Sequence, residues 1–499
     1  MMAKYMPRRI GKETLLPLLS GALTAAALPA TGWFPLVFVS LIPWYISLEP
    51  GRGFRSGWFF GIAFFAVDLR WILALDRFNV LVIPGWFLLI VVFGLSFGLL
   101  GWIAVKLTPR NLILRSLVLL PALFVLAEYA RMFGPLGMGF STLYLSAYRI
   151  PWLIQSAAIA GPWLLTAGFV AINGAIYLAM RRRSLRALGL AAAILGLLSA
   201  FALLPLSGEE GASQRIAVIA SQVLQEEKLD ARNLDTLQAR YLTLGEEALV
   251  SDPDLIVFPE SILPSYILQD SRVLPDFQAL ARRGSVEILL GTGVYRDDGI
   301  YNTVAHLSAE GGILETYEMV RPVPFGEYIP GRSLLELLGL GEWLDSFLPL
   351  DLSRGSEYRL LGTVGTPICF ESTFPIASRR FAQQGAVLLA TVTNDAWFAG
   401  NSELISHFAA TLFRAVETRR WMVQAANGGV SGIISPRGEI VASQRREGVL
   451  VGEIEPRQGR SIYVQFGDLP MLLLAACCVL GLLVRRLRYP VKGSGGRIY

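Results

Sequence analysis

The stretch Asp254-Leu-Ile-Val-Phe-Pro-Glu260 is an apolar run that stops at a proline and then presents a carboxylate. A short apolar run bounded in this way is typical of a buried β-strand. Side chains at strand ends are held in place by the scaffold behind them, and catalytic groups favour such positions. Glu260 is therefore a candidate catalytic carboxylate.

Two further segments share this design. Thr366-Pro-Ile-Cys-Phe-Glu371 predicts a second short strand with Cys369 at its end, and Arg321-Pro-Val-Pro-Phe-Gly-Glu327 is a proline-stiffened loop that ends in a carboxylate. A cysteine nucleophile needs a base to accept its proton, and a carboxylate held nearby can do so. Taken alone, each segment is also typical of a core cysteine, a solvated glutamate or a connector. The three together, in this order, favour a cysteine-nucleophile site.

Short β-rich runs separated by polar helical stretches surround these segments. This alternation predicts a layered sheet domain with helices on the outside. The predicted strands are Arg215–Ser221, Asp254–Pro259, Val286–Tyr295, Tyr301–Leu307, Thr366–Phe370, Ala386–Thr393, Met422–Ala426 and Ser431–Ile434. The predicted helices are Leu229–Leu249, Val273–Arg283 and Ser402–Arg420.

The rest of the chain is too apolar for a protein that lies wholly in water. Only 17% of the residues are charged, whereas soluble proteins carry about 25%. A membrane-spanning helix needs about 20 mostly apolar residues, and the sequence offers about eight candidates. The first two are short and separated by Thr31-Gly32, which favours a helical hairpin. The candidates centre on Leu18–Thr31, Phe34–Ser47, Trp58–Leu75, Ile83–Val105, Leu112–Met132, Ala157–Met180, Ala187–Leu204 and Pro470–Val484.

The predicted domains are a seven-span region (1–206), a linker (207–213), an α/β domain (214–456), and an eighth span with a basic tail (457–499). Cytoplasmic loops of membrane proteins are enriched in lysine and arginine. This bias predicts cytoplasmic termini and an α/β domain on the outer face of the membrane. The basic clusters are Lys4/Arg8/Arg9/Lys12, Arg52/Arg55, Lys106/Arg110, Arg181/Arg182/Arg183/Arg186 and Arg485/Arg486/Arg488/Lys492.

Several classes of function are disfavoured by the composition. Two of the three cysteines are adjacent in an apolar run, so no disulfide framework is predicted. With two histidines and no Cys/His cluster of ligand spacing, no metal is predicted. The basic residues flank apolar runs, and this pattern orients helices in a membrane and does not indicate nucleic-acid binding.

Some polar features lie inside the apolar region. The loop Phe133–Gln155 is rich in glycine and aromatic residues and is too long for a simple connector, which favours a lipid-facing flap. Asp68, Arg70, Glu128 and Arg131 fall within or at the end of predicted spans. Ionisable groups at that depth are candidates for function, and the simpler interpretation is that they pair with one another.

The site segments resemble the motifs of the apolipoprotein N-acyltransferase family, in Phe258-Pro-Glu260, Val323-Pro-Phe-Gly-Glu327-Tyr-Ile-Pro330 and Ile368-Cys-Phe-Glu371. The resemblance covers nearly the whole chain, including the order of most helices, a nitrilase-like domain and one last helix. It implies a membrane α-helical bundle joined to an α-β-β-α sandwich. Further matching runs are Thr393-Asn-Asp-Ala-Trp-Phe398, Arg414-Ala-Val-Glu417, Gln424-Ala-Ala-Asn-Gly-Gly-Val-Ser431 and Tyr463-Val-Gln-Phe-Gly-Asp468.

The resemblance implies an activity. Such a protein takes an acyl chain from a phospholipid as a cysteine thioester and passes it to the N-terminal amine of a diacylglyceryl-cysteine apolipoprotein. Cys369 is then the nucleophile, Glu260 the general base, and Glu327 and Glu371 supporting carboxylates. No cofactor is implied. The implied location is the bacterial inner membrane, with the catalytic domain facing the periplasm.

One position departs from the family pattern, because Met319 stands where the family has its catalytic lysine. Losing one oxyanion donor costs roughly 3 kcal/mol. Arg321 is predicted to supply the missing charge, alone or with backbone N–H groups. Lys228 is the only lysine of the α/β domain and falls in its first strand-to-helix segment.

Two other functions stay open at this point. A catalytically impaired paralogue would bind lipid or lipoprotein without turnover, as the methionine at position 319 suggests. A membrane-tethered amidase would use the same thiol on a small amide, but the long apolar region argues against a soluble substrate.

Overall fold

The computed structural model describes residues 11–206, 208–398 and 400–488. Within them, six helices are long and apolar enough to cross a membrane. The predicted basic clusters at Lys4/Arg8/Arg9 and Lys492 lie outside the described residues. The six helices are Gly53–Arg77, Val82–Leu107, Leu112–Ala130, Trp163–Arg182, Leu185–Leu203 and Leu469–Arg488.

The prediction of about eight spans is matched only roughly. The first two predicted spans form the hairpin that the sequence favoured, but its helices are short: Lys12–Ala26, a 3₁₀ turn at Phe34–Phe38, and Ile42–Ser47. The predicted span at Ala157–Met180 is also shorter, because its long helix begins only at Trp163. The preceding Gly161 has a φ of +67°, a left-handed conformation that ends a helix.

The α/β domain contains two sheets. The larger has the order β12-β1-β2-β3-β4-β5, with β6 paired to β4, and the smaller has the order β11-β10-β9-β8-β7. The strands are β1 Gln214–Ala220, β2 Leu255–Val257, β3 Glu287–Arg296, β4 Gly299–Leu307, β5 Ile313–Glu318, β6 Leu352–Ser353, β7 Val364–Gly365, β8 Leu388–Asn394, β9 Trp421–Asn427, β10 Ser431–Ile434, β11 Ile440–Gln444 and β12 Gly448–Ile454. The helices are Gln225–Leu229, Leu234–Leu249, Leu274–Gly284, Arg332–Leu337, Gly341–Phe347, Pro375–Gln384, Glu403–Thr418 and Ile462–Phe466.

Alternation along β1 shows how the layers pack. Ile216 and Val218 belong to the apolar core shared with the second sheet, whereas Ala217 and Ile219 pack against the outer helices. Successive side chains of a strand point to opposite faces, so a strand buried on both faces lies between a sheet and a helix layer. The predicted α-β-β-α sandwich is confirmed.

The predicted strand at Thr366–Phe370 is wrong. The nearby strand β7 ends at Gly365, Ile368 makes an isolated bridge to Val392, and residues Cys369–Thr373 form a 3₁₀ turn. The sequence analysis also missed β5, β11 and β12. Their side chains are largely exposed or half-buried, so they lack the continuous apolar runs by which the other strands were found.

The loop Phe133–Gln155 is not a lipid-facing flap, because residues 139–148 are buried between the helices and the α/β domain. Glu128 accepts a hydrogen bond from the backbone N–H of Leu143 at 2.8 Å. The hydroxyl of Ser141 donates to Asp68 at 2.5 Å. These intramembrane carboxylates therefore hold the loop in place, and Glu128 also accepts a hydrogen bond from Thr166 in the span Trp163–Arg182 at 2.7 Å.

Candidate active site

Three segments that the sequence singled out meet at one edge of the sandwich. Each contains a non-glycine residue in the left-handed region: Ser261 with φ +44°, Phe325 with φ +62° and Cys369 with φ +46°. Such conformations cost about 1–3 kcal/mol each and persist where the surroundings enforce them, often at functional sites. Together they turn Glu260, Glu327 and the thiol of Cys369 toward a common centre.

The carboxylate of Glu260 is fixed in position by hydrogen bonds, as a general base requires. Its carboxylate accepts the side-chain amide of Asn302 at 2.5 Å and the backbone N–H of Asn394 at 2.7 Å. Burial raises the pKa of Glu260, and these bonds, together with a hydrogen bond from the Cys369 thiol, oppose the increase. A raised pKa brings the carboxylate closer to the range in which a general base is effective near neutral pH.

Glu327 is tied to Glu260 through one amide. Asn302 Nδ2 lies 3.1 Å from Glu327 Oε1, and the backbone N–H of Val323 donates to the other oxygen at 2.6 Å. Burial and then the negative charge of Glu260 raise the pKa of Glu327 to about 8. At neutral pH this shift favours the protonated form of Glu327.

Cys369 is half-buried at the start of the 3₁₀ turn. Burial, followed by the charges of Glu260 and Asp395, raises the pKa of its thiol well above the ordinary value. The resting site therefore holds a neutral thiol. The thiolate is the nucleophilic form of cysteine, so Glu260 is a candidate to accept the thiol proton.

Glu371 supports the segment that carries Cys369 through hydrogen bonds. Its carboxylate accepts the backbone N–H groups of Ile368 at 3.0 Å and Val320 at 2.8 Å, and the hydroxyl of Tyr317 at 2.8 Å. The backbone N–H of Arg321 is a further donor at 3.0 Å. One buried side chain thus links the turn that carries Cys369 to the end of β5, so Glu371 is a positioning residue.

The side chains of Met319 and Arg321 lie in different places. Met319 is buried, with its sulfur 3.7 Å from the Asn302 amide nitrogen, so position 319 faces the catalytic carboxylates. The Arg321 guanidinium lies 4.2 Å from the ring centre of Phe374 and donates to the carbonyl of Met132 at 3.3 Å. Arg321 is thus engaged with the membrane helices, and the structure does not bring its charge to the thiol.

His407 belongs to the site, although no sequence motif singled it out. Its Nδ1 lies 2.9 Å from Asp395, and its Nε2 lies 3.0 Å from the Cys369 carbonyl and 2.8 Å from the Ser372 hydroxyl. A carboxylate and a carbonyl can only accept, so both ring nitrogens carry a proton. Burial disfavours this imidazolium, but Asp395 outweighs it and raises the pKa of His407 to about 9.

Asp395, Glu403 and His407 also have ligand atoms within 4.8 Å of one another, as in metal sites. Both His407 nitrogens act as donors here, so we interpret the cluster as an ion pair that supports the nucleophile. That the protein needs no metal stays a prediction.

Replacing His407 by alanine is expected to slow any reaction of the Cys369 thiol about tenfold, because the Cys369 carbonyl loses a buried donor. Leaving such a group unpaired costs about 1–3 kcal/mol. His407 has a raised pKa in the folded state, so its contribution to stability is complete below about pH 6.5 and is lost as the pH rises through about 9. Thermal unfolding measured between pH 6 and pH 10 tests this dependence.

The control for that variant is His306→Ala, which removes the other imidazole of the chain. His306 pairs with Glu287 at 3.0 Å on the larger sheet, away from the thiol. Equal slowing of the reaction at Cys369 in both variants would contradict a positioning role for His407.

Asn302 is the other site residue that the sequence analysis missed. It lies within β4, and a lone asparagine inside an apolar strand carries no motif. A buried polar side chain at a position facing a predicted carboxylate would have been the only available signal.

Comparison with known proteins gives the family. The N-terminal domain of apolipoprotein N-acyltransferases matches residues 20–175, and the carbon-nitrogen hydrolase family matches residues 216–463. The apolipoprotein N-acyltransferase of Geobacter metallireducens is 30% identical over 95% of this chain and 94% of its own. The chain belongs to the apolipoprotein N-acyltransferase family. The Pseudomonas aeruginosa PAO1 apolipoprotein N-acyltransferase is 31% identical over 95% of this chain and 96% of its own.

Among solved structures, an amidase from Nesterenkonia sp. is similar at a TM-score of 0.39 and 18% identity, over 53% of this chain and 97% of the amidase. As a member of the apolipoprotein N-acyltransferase family, the chain is a transferase built on the carbon-nitrogen hydrolase fold. Its apolar helices fit a membrane protein.

Proposed function

We propose that this chain transfers an acyl chain from a membrane phospholipid to the N-terminal amine of a diacylglyceryl-cysteine lipoprotein, through a thioester on Cys369. The observation that carries the proposal is the proximity of the Cys369 thiol to the buried Glu260 carboxylate, each of which influences the pKa of the other. Phe370, next to the nucleophile, lies 6.3 Å between ring centres from Phe140 of the membrane region.

In the first step, the Cys369 sulfur attacks the ester carbonyl carbon while Glu260 takes the thiol proton. The carbonyl electron pair moves to oxygen and gives a tetrahedral oxyanion. Its collapse breaks the ester C–O bond, and the glycerol oxygen leaves with the proton that Glu260 held. The products are the acyl-thioester and a lysophospholipid. A thioester conserves the energy of the ester, so the reaction balances without a cofactor.

In the second step, the lipoprotein amine attacks the thioester carbon. The nitrogen gives up a proton to Glu260 as the C–N bond forms, the second oxyanion collapses, and the sulfur of Cys369 leaves and regains that proton. The product is an amide, and the free thiol is restored. Both substrates are anchored in the bilayer, which explains why the nucleophile is held against membrane helices.

A cavity of about 230 Å³ supports membrane-anchored substrates. Its walls come from both regions of the chain, and Phe374 in one wall packs 4.9 Å from Phe370, the residue after the nucleophile. Such a cavity suits part of a lipid substrate. It is lined by Tyr129, Met132, Phe133, Trp163, Arg321, Tyr358, Phe374, Pro375, Ile376 and Asp468.

Met319 favours a second candidate, a relative that binds lipid or lipoprotein without turnover. Its uncharged thioether faces Asn302 and the catalytic carboxylates, at a position where the family has a lysine. This candidate predicts that the purified chain binds phospholipid but forms no thioester.

Purified protein in detergent, mixed with phospholipid and a diacylglyceryl-cysteine peptide, separates the two candidates. We expect a mass increase of one acyl chain on Cys369, its release by hydroxylamine, and an N-acylated peptide. Binding of phospholipid with neither product would support the second candidate and overturn the first.

We also propose that the α/β domain faces the periplasm of a bacterial inner membrane. The support is the clustering of basic residues in alternate loops, such as Arg52 and Arg55, then Lys106 and Arg110. A membrane-impermeant thiol reagent added to intact spheroplasts is expected to label L229C and to spare K106C. The reverse labelling pattern would overturn this orientation.

A further inference from the structure

Lys228 is buried beside the catalytic carboxylate. It lies in the short helix Gln225–Leu229 that follows β1, and its ammonium donates to the backbone carbonyl of Glu260 at 3.1 Å. Its neighbours Glu226 and Leu229 are exposed. Gln225 and Lys228 are the buried residues of this helix, and the Lys228 side chain is directed to Glu260.

The position of this helix is fixed by a chain of side-chain amides. Asn394 Nδ2 donates to Gln225 Oε1 at 2.8 Å, and Asn427 Nδ2 donates to Asn394 Oδ1 at 2.8 Å. The backbone N–H of the same Asn394 donates to the Glu260 carboxylate at 2.7 Å. Asn394 thus anchors both the general base and the helix that carries Lys228, so their spacing is held from two sides.

The titratable groups that influence Lys228 come from two other segments. They are the Glu260 carboxylate after β2 and the Cys369 thiol of the 3₁₀ turn, while Glu327 lies behind Asn302. On its own helix, Glu226 is directed outward and lies 3.7 Å from Arg77. Burial lowers the pKa of Lys228 to about 8, against the opposing influence of Glu260 and Cys369. At neutral pH the site therefore contains a buried ammonium group.

A buried charge is costly unless nearby groups of opposite charge or hydrogen-bond acceptors compensate it. An ammonium has three N–H donors, and among the described residues the Glu260 carbonyl accepts one. The other two remain for negative charge that develops during the reaction. The chemistry proposed above creates such charge twice, on the Cys369 sulfur and on the oxyanion attached to it.

We propose that Lys228 is the catalytic cation of this active site, stabilising the thiolate and the oxyanion at Cys369 in place of a lysine at position 319. The inference rests on the proposed function, since it assigns a residue to that reaction. Met319 has no charge to contribute, and the Arg321 guanidinium is stacked on Phe374. Lys228 therefore removes the reason to treat the site as impaired.

The test is the rate of acyl-thioester formation from phospholipid alone, measured by mass in a single turnover between pH 6 and pH 10. With phosphatidylglycerol as the donor and no acceptor peptide, no substrate amine titrates in this range. Lys228→Met is expected to lower the rate about a hundredfold, the effect of losing one oxyanion donor. Lys106→Met removes the same charge from an exposed position on a membrane helix and is expected to keep the full rate.

Two further variants separate a catalytic role from a structural one. The wild-type rate is expected to fall as the pH rises past about 8, and Lys228→Arg is expected to shift this fall upward, because a guanidinium stays charged. In the Lys228→Met background, Met319→Lys is expected to restore at least tenfold of the rate, because position 319 faces the same carboxylates. Restoration of the rate by Met319→Lys remains informative even where one single variant folds poorly.

The outcomes distinguish the inference from the function on which it rests. A wild-type chain that forms no thioester would overturn the proposed function, and the inference with it. An active wild type together with an unimpaired Lys228→Met would overturn the inference alone. So would a Lys228→Met chain that is slow, is not restored by Met319→Lys, and has a Lys228→Arg counterpart with an unshifted alkaline limit.

Discussion

Cys369→Ala is expected to form no acyl-thioester and no N-acylated peptide, because the atom that carries the acyl chain is absent. Removing a nucleophile from a concerted catalytic unit lowers the rate by about four to six orders of magnitude. The methyl group of alanine fits the half-buried position. The hydrogen bond from the His407 imidazole to the backbone carbonyl of residue 369 is retained. Phospholipid binding should therefore persist while turnover is lost.

The chain contains its own matched control for this variant. Cys477 and Cys478 are free thiols in the last membrane helix, the first exposed and the second half-buried. Alanine at both positions is expected to leave the acyl-thioester signal unchanged. A thioester that persists in Cys369→Ala and disappears in the double alanine variant would show that the acyl chain is carried elsewhere.

Glu260→Gln is expected to lower thioester formation about 10²–10⁴-fold, the usual contribution of a general base. Glutamine matches the size of glutamate and still offers one oxygen to Asn302 or Asn394, so the fold is expected to survive. Phospholipid affinity should change little, because the loss concerns proton transfer and not binding. Glu246→Gln, at an exposed glutamate paired with Arg283, is the control and is expected to keep the full rate.

The rate of thioester formation is also expected to depend on pH in a defined direction. A base must be ionised to act, and burial raises the pKa of Glu260 above its ordinary value of 4.5. The wild-type rate should therefore fall on acidification at a pH above 4.5, and Glu260→Gln should lack this acid limb. An acid limb that is identical in both proteins would assign the base to another residue.

The site residues in strand-end motifs were found from the sequence because each motif is local. Glu260 follows its own apolar strand, and Cys369 lies two residues after Pro367 in another short apolar segment. Contacts between distant segments have no such signal. Asn302 reaches Glu260 across 42 residues of sequence, and Asn394 reaches it across 134.

Predictions from the pattern of residue types along the sequence failed where that pattern does not match the burial of the segment in the structure. The segment 139–148 looked like a lipid-facing flap because it is aromatic and glycine-rich, but the structure buries it under carboxylates that lie in helices. The turn at Cys369 looked like a strand because it is apolar, but β7 ends at Gly365, and Cys369, with a φ of +46°, begins a 3₁₀ turn. In both cases tertiary contacts outweigh local preference.

The sequence by itself determined that this protein has a membrane helical region and a nitrilase-like domain. It also assigned Cys369, Glu260, Glu327 and Glu371 to one candidate site. Both conclusions were possible because apolar periodicity and strand-end motifs are local properties. Only the tertiary structure decided which cation faces the thiol. In the sequence, Arg321 is close to position 319, where the family has its lysine, and Lys228 is far from it. In the structure, the Lys228 side chain points toward the site and the Arg321 side chain points away from it. The Arg321 guanidinium stacks on Phe374, while the first helix after β1 turns Lys228 onto Glu260, 32 residues away.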